Sequence, residues 1–130
     1  MEHFDFIALG GGTAGLTASQ RVAQTGKKVA LIDPTPIGGL CSLRGCNPKK
    51  VLVRAAEVLE EVRHAGLHGI STGKIDIDWN AVITRKHRFT DPVTPNAEKS
   101  LAQAGVQYIK APAALYCRRQ VDGKWAYLVF

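Results

Sequence analysis

Cysteine is scarce in this chain, three residues in 130, which excludes the disulfide-stapled scaffolds of small secreted domains. No apolar run approaches the roughly 18 residues that a membrane helix needs. A signal peptide is missing too, since Glu2 and Asp5 stand where positive charge would be. A cytoplasmic address follows by default. Aromatic residues are few, 7%, and the Lys and Arg behind the formal charge of +6 are scattered in short pairs. Without a basic stripe interleaved with aromatics, nucleic acid is excluded as a partner. Internal repeats and low-complexity linkers are also lacking. What is present is 45% hydrophobic content, enough for one buried core and therefore one globular domain or part of one.

Phe4, Phe6, Ile7, Ala8 and Leu9 form an apolar strand that runs into Gly10-Gly11-Gly12, and helix-compatible sequence follows to Thr25 before Gly26 stops it. Val29 to Ile32 reads as a second buried strand closed by Asp33-Pro34, so the chain opens with a βαβ pattern of about thirty residues. Pro34, Pro36, Gly38 and Gly39 make a loop. Val51, Leu52, Ala55, Leu59 and Val62 then recur at helical spacing opposite Lys50, Arg54, Glu57 and Glu61, which predicts an amphipathic helix from about Asn47 to Ala65. Asp78 is placed to cap a helix containing Trp79, Val82 and Ile83. Pro92 and Pro95 interrupt that pattern, and a further helical stretch from about Asn96 to Ala104 ends at Gly105, giving two helices or one kinked helix. Residues 106–109, 113–117 and 124–130 read as short strands, with Asp122-Gly123 as a hairpin turn. The expected class is α/β, a parallel sheet with helices and a small antiparallel β-meander. The apolar, strand-like ending predicts a domain incomplete at its C-terminus.

Gly10, Gly12 and Gly15 satisfy G-x-G-x-x-G directly after a strand and at the opening of a helix. The first glycine permits a tight turn, the second lets backbone approach a pyrophosphate, and the third lets helix and strand pack closely. The anion then rests on unpaired N–H groups at the positive end of the helix dipole. Asp33 follows about twenty residues on, where a carboxylate accepts hydrogen bonds from ribose hydroxyls and disfavours a 2'-phosphate. The bland alternative is a Gly-rich turn with a surface aspartate. The motif by itself does not separate FAD from NAD.

Cys41 and Cys46 flank Ser42-Leu43-Arg44-Gly45 at the entrance to the amphipathic helix. In a regular helix their Cα atoms would lie roughly 8.7 Å apart, beyond the roughly 7 Å limit for a disulfide. A bridge needs a distorted first turn, which Gly45 can supply. A helix N-terminus with Arg44, Lys49 and Lys50 nearby is expected to lower the thiol pKa. Two unpaired structural cysteines or half of a metal site are the competing readings, although His64 and His68 lie beyond the usual short ligand spacing. No metal site is assigned. Cys117 stands alone as a small buried apolar residue, and Arg85, Lys86, His87 and Arg88 read as a solvated basic face.

The blocks Gly10-Gly11-Gly12-Thr13-Ala14-Gly15, Asp33, and Gly38-Gly39-Leu40-Cys41 through Gly45-Cys46-Asn47-Pro48-Lys49-Lys50 together resemble the glutathione reductase family, which includes mercuric reductase and dihydrolipoamide dehydrogenase. The resemblance is strongest over residues 4–60 and continues to about residue 117. Pro48-Lys49-Lys50 is more similar to glutathione reductase than to the Pro-Ser-Lys of the lipoamide enzymes. It implies a Rossmann-like FAD-binding domain, of which residues 1–130 are the N-terminal part, with the nicotinamide and dimer-interface domains and their His-Glu acid/base pair absent. It also implies that Gly10, Gly12, Thr13, Ala14, Gly15, Asp33, Leu40 and Lys49 serve FAD, Lys50 being the substitute for Lys49 if the helix register differs. Electrons would pass from NAD(P)H through FAD to a Cys41/Cys46 disulfide and on to a small-molecule disulfide or other acceptor such as a metal ion. Cys46 would stand next to the flavin as the charge-transfer thiolate, and Cys41 would be the interchange thiol. Asp33 replaces the family's usual glutamate and Leu40 its usual threonine, both weakening expected hydrogen bonds to FAD. Family members are homodimers, and this chain alone is expected not to turn over. The rival readings are a non-catalytic FAD- or ADP-binding module with a structural disulfide, and a soft-metal thiolate binder for Hg or Zn.

Overall fold

The computed structural model describes residues 2–121 and 124–129. In chain order its elements are β1 (Phe6–Leu9), α1 (Thr13–Ala23), β2 (Val29–Ile32), α2 (Gly39–Leu43), α3 (Cys46–Arg63), a 3₁₀ turn (Ala65–His68), α4 (Trp79–Thr90), α5 (Val93–Gln103), β3 (Gln107–Ile109), β4 (Leu115–Val121) and β5 (Lys124–Val129). They form two compact units, Met1–Gly39 with Thr94–Phe130, and Leu40–Val93.

The first unit is built on a parallel sheet in the order β1-β2-β3. Its register sets Phe6 beside Val29, Ala8 beside Leu31, and Leu31 beside Tyr108. One sheet face therefore carries Phe6, Ala8, Val29, Leu31 and Tyr108, and these cluster with Leu16 and Val22 of α1 and with Ala97 and Leu101 of α5. Both helices thus cover the same face, as right-handed crossovers in one direction require. Val29, Leu31, Ile37 and Leu101 are buried to 1% exposure or less, each burial contributing about 1.5–3 kcal/mol of transfer free energy. A hydrogen bond of 2.7 Å from Gln20 Nε2 to Ser100 Oγ ties α1 to α5.

The strand expected at residues 106–109 is present as β3 and extends the parallel sheet beside β2. Its neighbours in the sequence explain this. Helix α5 begins at Val93 rather than near Asn96, because Pro95 falls in a first turn, where no N–H is required, and the longer helix returns the chain parallel to β2. The antiparallel part consists of β4 and β5 alone among the described residues, with a register shift between Leu115 and Cys117. The expected turn at Asp122-Gly123 lies outside the described residues.

In the second unit α3 packs on α4. The Asp78 carboxylate caps α4 by accepting from the Ala81 N–H at 3.1 Å, as its position predicts. Helix α4 ends at Thr90 and α5 starts at Val93, so Pro92 separates two helices. Among the described residues no helix is long and apolar enough to cross a membrane.

Candidate dinucleotide loop and dithiol

The chain turns from β1 into α1 through Gly10, whose φ of +103° is left-handed and suits only glycine. The Gly10 N–H donates to the Ile32 carbonyl at 2.8 Å, which holds the turn to β2. Gly15 answers to contact instead. A Cβ there would lie 1.9 Å from the Gly10 carbonyl oxygen, so α1 approaches the turn as closely as bare backbone allows.

Gly12 is the N-cap of α1, with ordinary extended backbone (φ −78°, ψ −178°) and no side-chain cap. A Cβ on it would meet nothing nearer than the Gly39 Cα at 3.8 Å. Its missing side chain therefore serves no packing need of the chain; it keeps space open at the helix N-terminus. The first N–H groups of a helix have no intrahelical acceptor, Thr13 and Ala14 are exposed, and the first turn contains no acidic residue. An open, uncapped, positively polarised helix end suits the diphosphate of a dinucleotide.

Asp33 stands just past β2, where its N–H donates to the Ile109 carbonyl at 3.2 Å. One carboxylate oxygen accepts the Gly11 N–H at 2.5 Å. The other accepts both the N–H and the hydroxyl of Thr35, each at 2.7 Å. Partial burial pushes the carboxyl pKa up, but the bonds from Gly11 and Thr35 outweigh it and leave the pKa below its ordinary value. The following loop closes on the same turn. The Gly38 N–H donates to the Gly11 carbonyl at 2.8 Å, Thr94 Oγ1 donates to the Ile37 carbonyl at 2.8 Å, and a Cβ on Gly39 (φ +76°) would lie 2.7 Å from the Gly12 Cα. Thr35 and Thr94 were not singled out from the sequence, and Gly11 and Gly39 were marked only as members of Gly-rich blocks, without a role. Only Asp33-Pro34-Thr35 carries a local signal, the spacing at which an Asp side chain bonds the residue two positions on.

In the second unit Cys41 lies inside the single turn of α2 and Cys46 is the first residue of α3. The break between these helices is the distortion that a regular helix would not supply. It centres on Gly45, where a Cβ would come within 3.1 Å of the Leu40 carbonyl oxygen. Both thiols are free and exposed, and each lies within reach of the other's charge. The expected fall in thiol pKa does not occur at Cys41. Its thiol is raised by the hydrogen bond to the Cys46 thiol, with slight desolvation and the Cys46 charge acting the same way; the Cys46 N–H and the Lys50 charge oppose this and lose. Cys41 sits within α2, not at the N-terminus of the long helix, so it misses the helix-end stabilisation that the sequence suggested. Lys49 is an exposed residue of the first turn of α3, its N–H bonded to the Gly45 carbonyl at 3.0 Å, and it is Lys50 whose charge acts on Cys41. Leu40 is 72% exposed.

The structure thus brings Gly10, Gly12, Thr13, Ala14, Gly15 and Asp33 together in one unit and Leu40, Cys41, Cys46 and Lys49 in the other. Among the described residues no group of three His, Cys, Asp or Glu is placed to hold a metal ion. Cys117 is half-buried on β4. In the basic segment Arg85 covers the Phe89 ring at 5.8 Å and His87 pairs with Asp91 at 2.9 Å.

Known proteins share this arrangement of sequence. The family described as Pyridine nucleotide-disulphide oxidoreductase matches residues 4–128. A dihydrolipoyl dehydrogenase of Zymomonas mobilis subsp. mobilis is 35% identical over 120 residues, covering 92% of this chain and 26% of that protein. A glutathione reductase of Yarrowia lipolytica is 30% identical over 118 residues, covering 88% and 25%. A dihydrolipoyl dehydrogenase of Chlamydia muridarum reaches 41% identity over 85 residues, 65% of this chain and 18% of its own length. The chain spans about a quarter of the length of the first two relatives. Enzymes of this family are FAD-dependent flavoproteins that use NAD(P)H. A match that runs from the first strand to the last, with relatives of two enzyme names on the same span, leads to one conclusion: this chain belongs to the pyridine nucleotide-disulphide oxidoreductase family.

Proposed function

We propose that the chain holds FAD at the N-terminus of α1 and that Cys41 and Cys46 carry electrons delivered from NAD(P)H to a disulfide acceptor. The observation that carries this reading is the helix break at Gly45, which leaves two free, exposed thiols, Cys41 inside α2 and Cys46 at the first residue of α3, released from regular helical spacing. When bound, FAD supplies the transfer of electrons between nicotinamide and sulfur. The Thr13, Ala14 and Gly15 N–H groups receive the diphosphate, Gly12 leaves room for it, and the remaining acceptor capacity of Asp33 faces the ribose. At the dithiol, the Cys41 thiolate attacks one sulfur of the acceptor disulfide, releasing one thiol and leaving Cys41 in a mixed disulfide. Cys46 then attacks the Cys41 sulfur, releases the second thiol and closes the Cys41–Cys46 bond. Lys50 stabilises the attacking thiolate. Pro48-Lys49-Lys50 favours a glutathione reductase-like acceptor. By family, the working enzyme is a homodimer, and the few cysteines fit the cytoplasm.

Equilibrating the chain with dithiothreitol redox buffers, then alkylating and weighing the peptides, tests the dithiol. The expected result is one two-electron transition joining Cys41 to Cys46 at a potential above about −300 mV, the range of exchanging rather than structural bonds. A pair that stays oxidised well below that potential supports a structural disulfide. Stoichiometric Hg or Zn uptake abolished by Cys41→Ser, with no disulfide formed, supports a metal binder.

A further inference from the structure

We propose that Asp33 is a positioning residue for the phosphate loop, presetting it through the Gly11 N–H before any ribose is bound. This rests on the dinucleotide reading above and adds to it. A residue that only reads ribose would hold its carboxylate free. Asp33 has instead committed three of about four lone-pair sites of its carboxylate, one to Gly11 and two to Thr35. Gly11 is gripped from both sides, its N–H by Asp33 and its carbonyl by the Gly38 N–H. It is also walled in, since a Cβ there would lie 2.4 Å from Ile37 Cγ2, and Ile37 is fully buried.

The grip is anchored beyond the loop itself. The Thr35 carbonyl accepts from the Tyr108 hydroxyl at 3.3 Å, the Ile37 carbonyl from Thr94 at 2.8 Å, and the Asp33 backbone is held by β3. Residues 33–39 therefore form a brace between β3, α5 and the turn that precedes α1. Because Gly11 adjoins the N-cap Gly12, fixing its peptide fixes the direction in which the first amides of α1 point. A ribose diol arriving at Asp33 would find one acceptor site open and would have to share the other oxygen with Thr35.

An asparagine at this position has one accepting atom. An alanine has none, so in Asp33→Ala the Gly11 N–H and both Thr35 donors lose their acceptor. The substitution also removes a negative charge, which by itself would favour an anion nearby. Positioning and charge therefore predict opposite signs for a ligand that has diphosphate and no ribose.

The test compares the wild-type chain with Asp33→Ala in two measurements. In the ligand-free protein, amide hydrogen exchange at Gly11 should accelerate at least tenfold while the Leu31 amide in β2 is unchanged; an unchanged Gly11 amide overturns the proposal. By calorimetry, inorganic pyrophosphate and ADP should lose affinity by similar factors, at least fivefold each. Pyrophosphate affinity held or raised while ADP affinity falls identifies a ribose reader and overturns it as well. A wild-type chain that binds neither ligand refutes the dinucleotide reading, and the exchange result then still decides the role of Asp33.

Discussion

Gly12→Ala separates a glycine required by the fold from one required by a ligand. The substituted Cβ meets only the Gly39 Cα, at an ordinary 3.8 Å, and the backbone at residue 12 is one that any residue adopts. Alanine is a poorer N-cap than glycine by about 0.5–1 kcal/mol. It also restricts the unfolded chain, which stabilises by about 0.4–1 kcal/mol. The two nearly cancel, so the urea midpoint should correspond to a stability within about 0.5 kcal/mol of wild type. Binding should respond differently. If the methyl displaces the diphosphate from even one charge-assisted bond, about 1.5–3 kcal/mol is lost, and FAD affinity falls about 10- to 150-fold at 1.4 kcal/mol per factor of ten. Quenching of flavin fluorescence on titration, paired with urea denaturation of the same preparation, reads both quantities. FAD affinity within threefold of wild type in a normally stable variant would refute the placement of the diphosphate over Gly12.

Gly15→Ala should behave in the opposite way. The Cβ must move from 1.9 Å to about 3.0 Å from a backbone oxygen, which puts it at the upper end of the roughly 1–3 kcal/mol of overpacking, offset by about 1 kcal/mol of helix propensity; thermal denaturation should show a loss near 2 kcal/mol. The depressed pKa of Asp33 makes its stabilisation complete above the unfolded carboxyl value of about 3.9 and lost as pH falls through the lower folded value. Tyr108, the nearby titrating group, is neutral throughout that window, so acid denaturation of Asp33→Asn should lack this component. Asp78→Ala should cost about 1 kcal/mol through the lost cap of α4 without altering Cys41–Cys46 exchange with dithiothreitol. Residues 1–130 hold a single G-x-G-x-x-G, so the purified chain with added FAD should show no steady-state NADPH oxidation in a spectrophotometric assay.

The opening βαβ pattern was legible because each signal is local: apolar runs at 6–9 and 29–32, glycines where the backbone turns, and a 3.6-residue repeat from Val51 onward. The break between α2 and α3 could be inferred because disulfide and helix spacing conflict and Gly45 lies between the cysteines. The single turn of α2 escaped notice, since five residues are too few to show a period. The brace around Gly11 was hidden for another reason. Its bonds join residues 22 apart, as with Asp33 and Gly11, or 57 apart, as with Thr94 and Ile37, and nothing local marks either partner. The strand at 107–109 was legible, but its pairing with β2, nearly eighty residues away in sequence, was not. At Cys41 the nearby lysines were visible, but the interaction with the Cys46 thiol that outweighs them depends on the folded first turn.

An anaerobic reductive titration of the FAD-loaded chain tests the central claim most directly. Two electrons reduce the flavin and two reduce a Cys41–Cys46 disulfide, so the oxidised wild-type chain should consume four electrons per FAD and Cys46→Ser should consume two. Consumption of two electrons by both proteins would contradict the account.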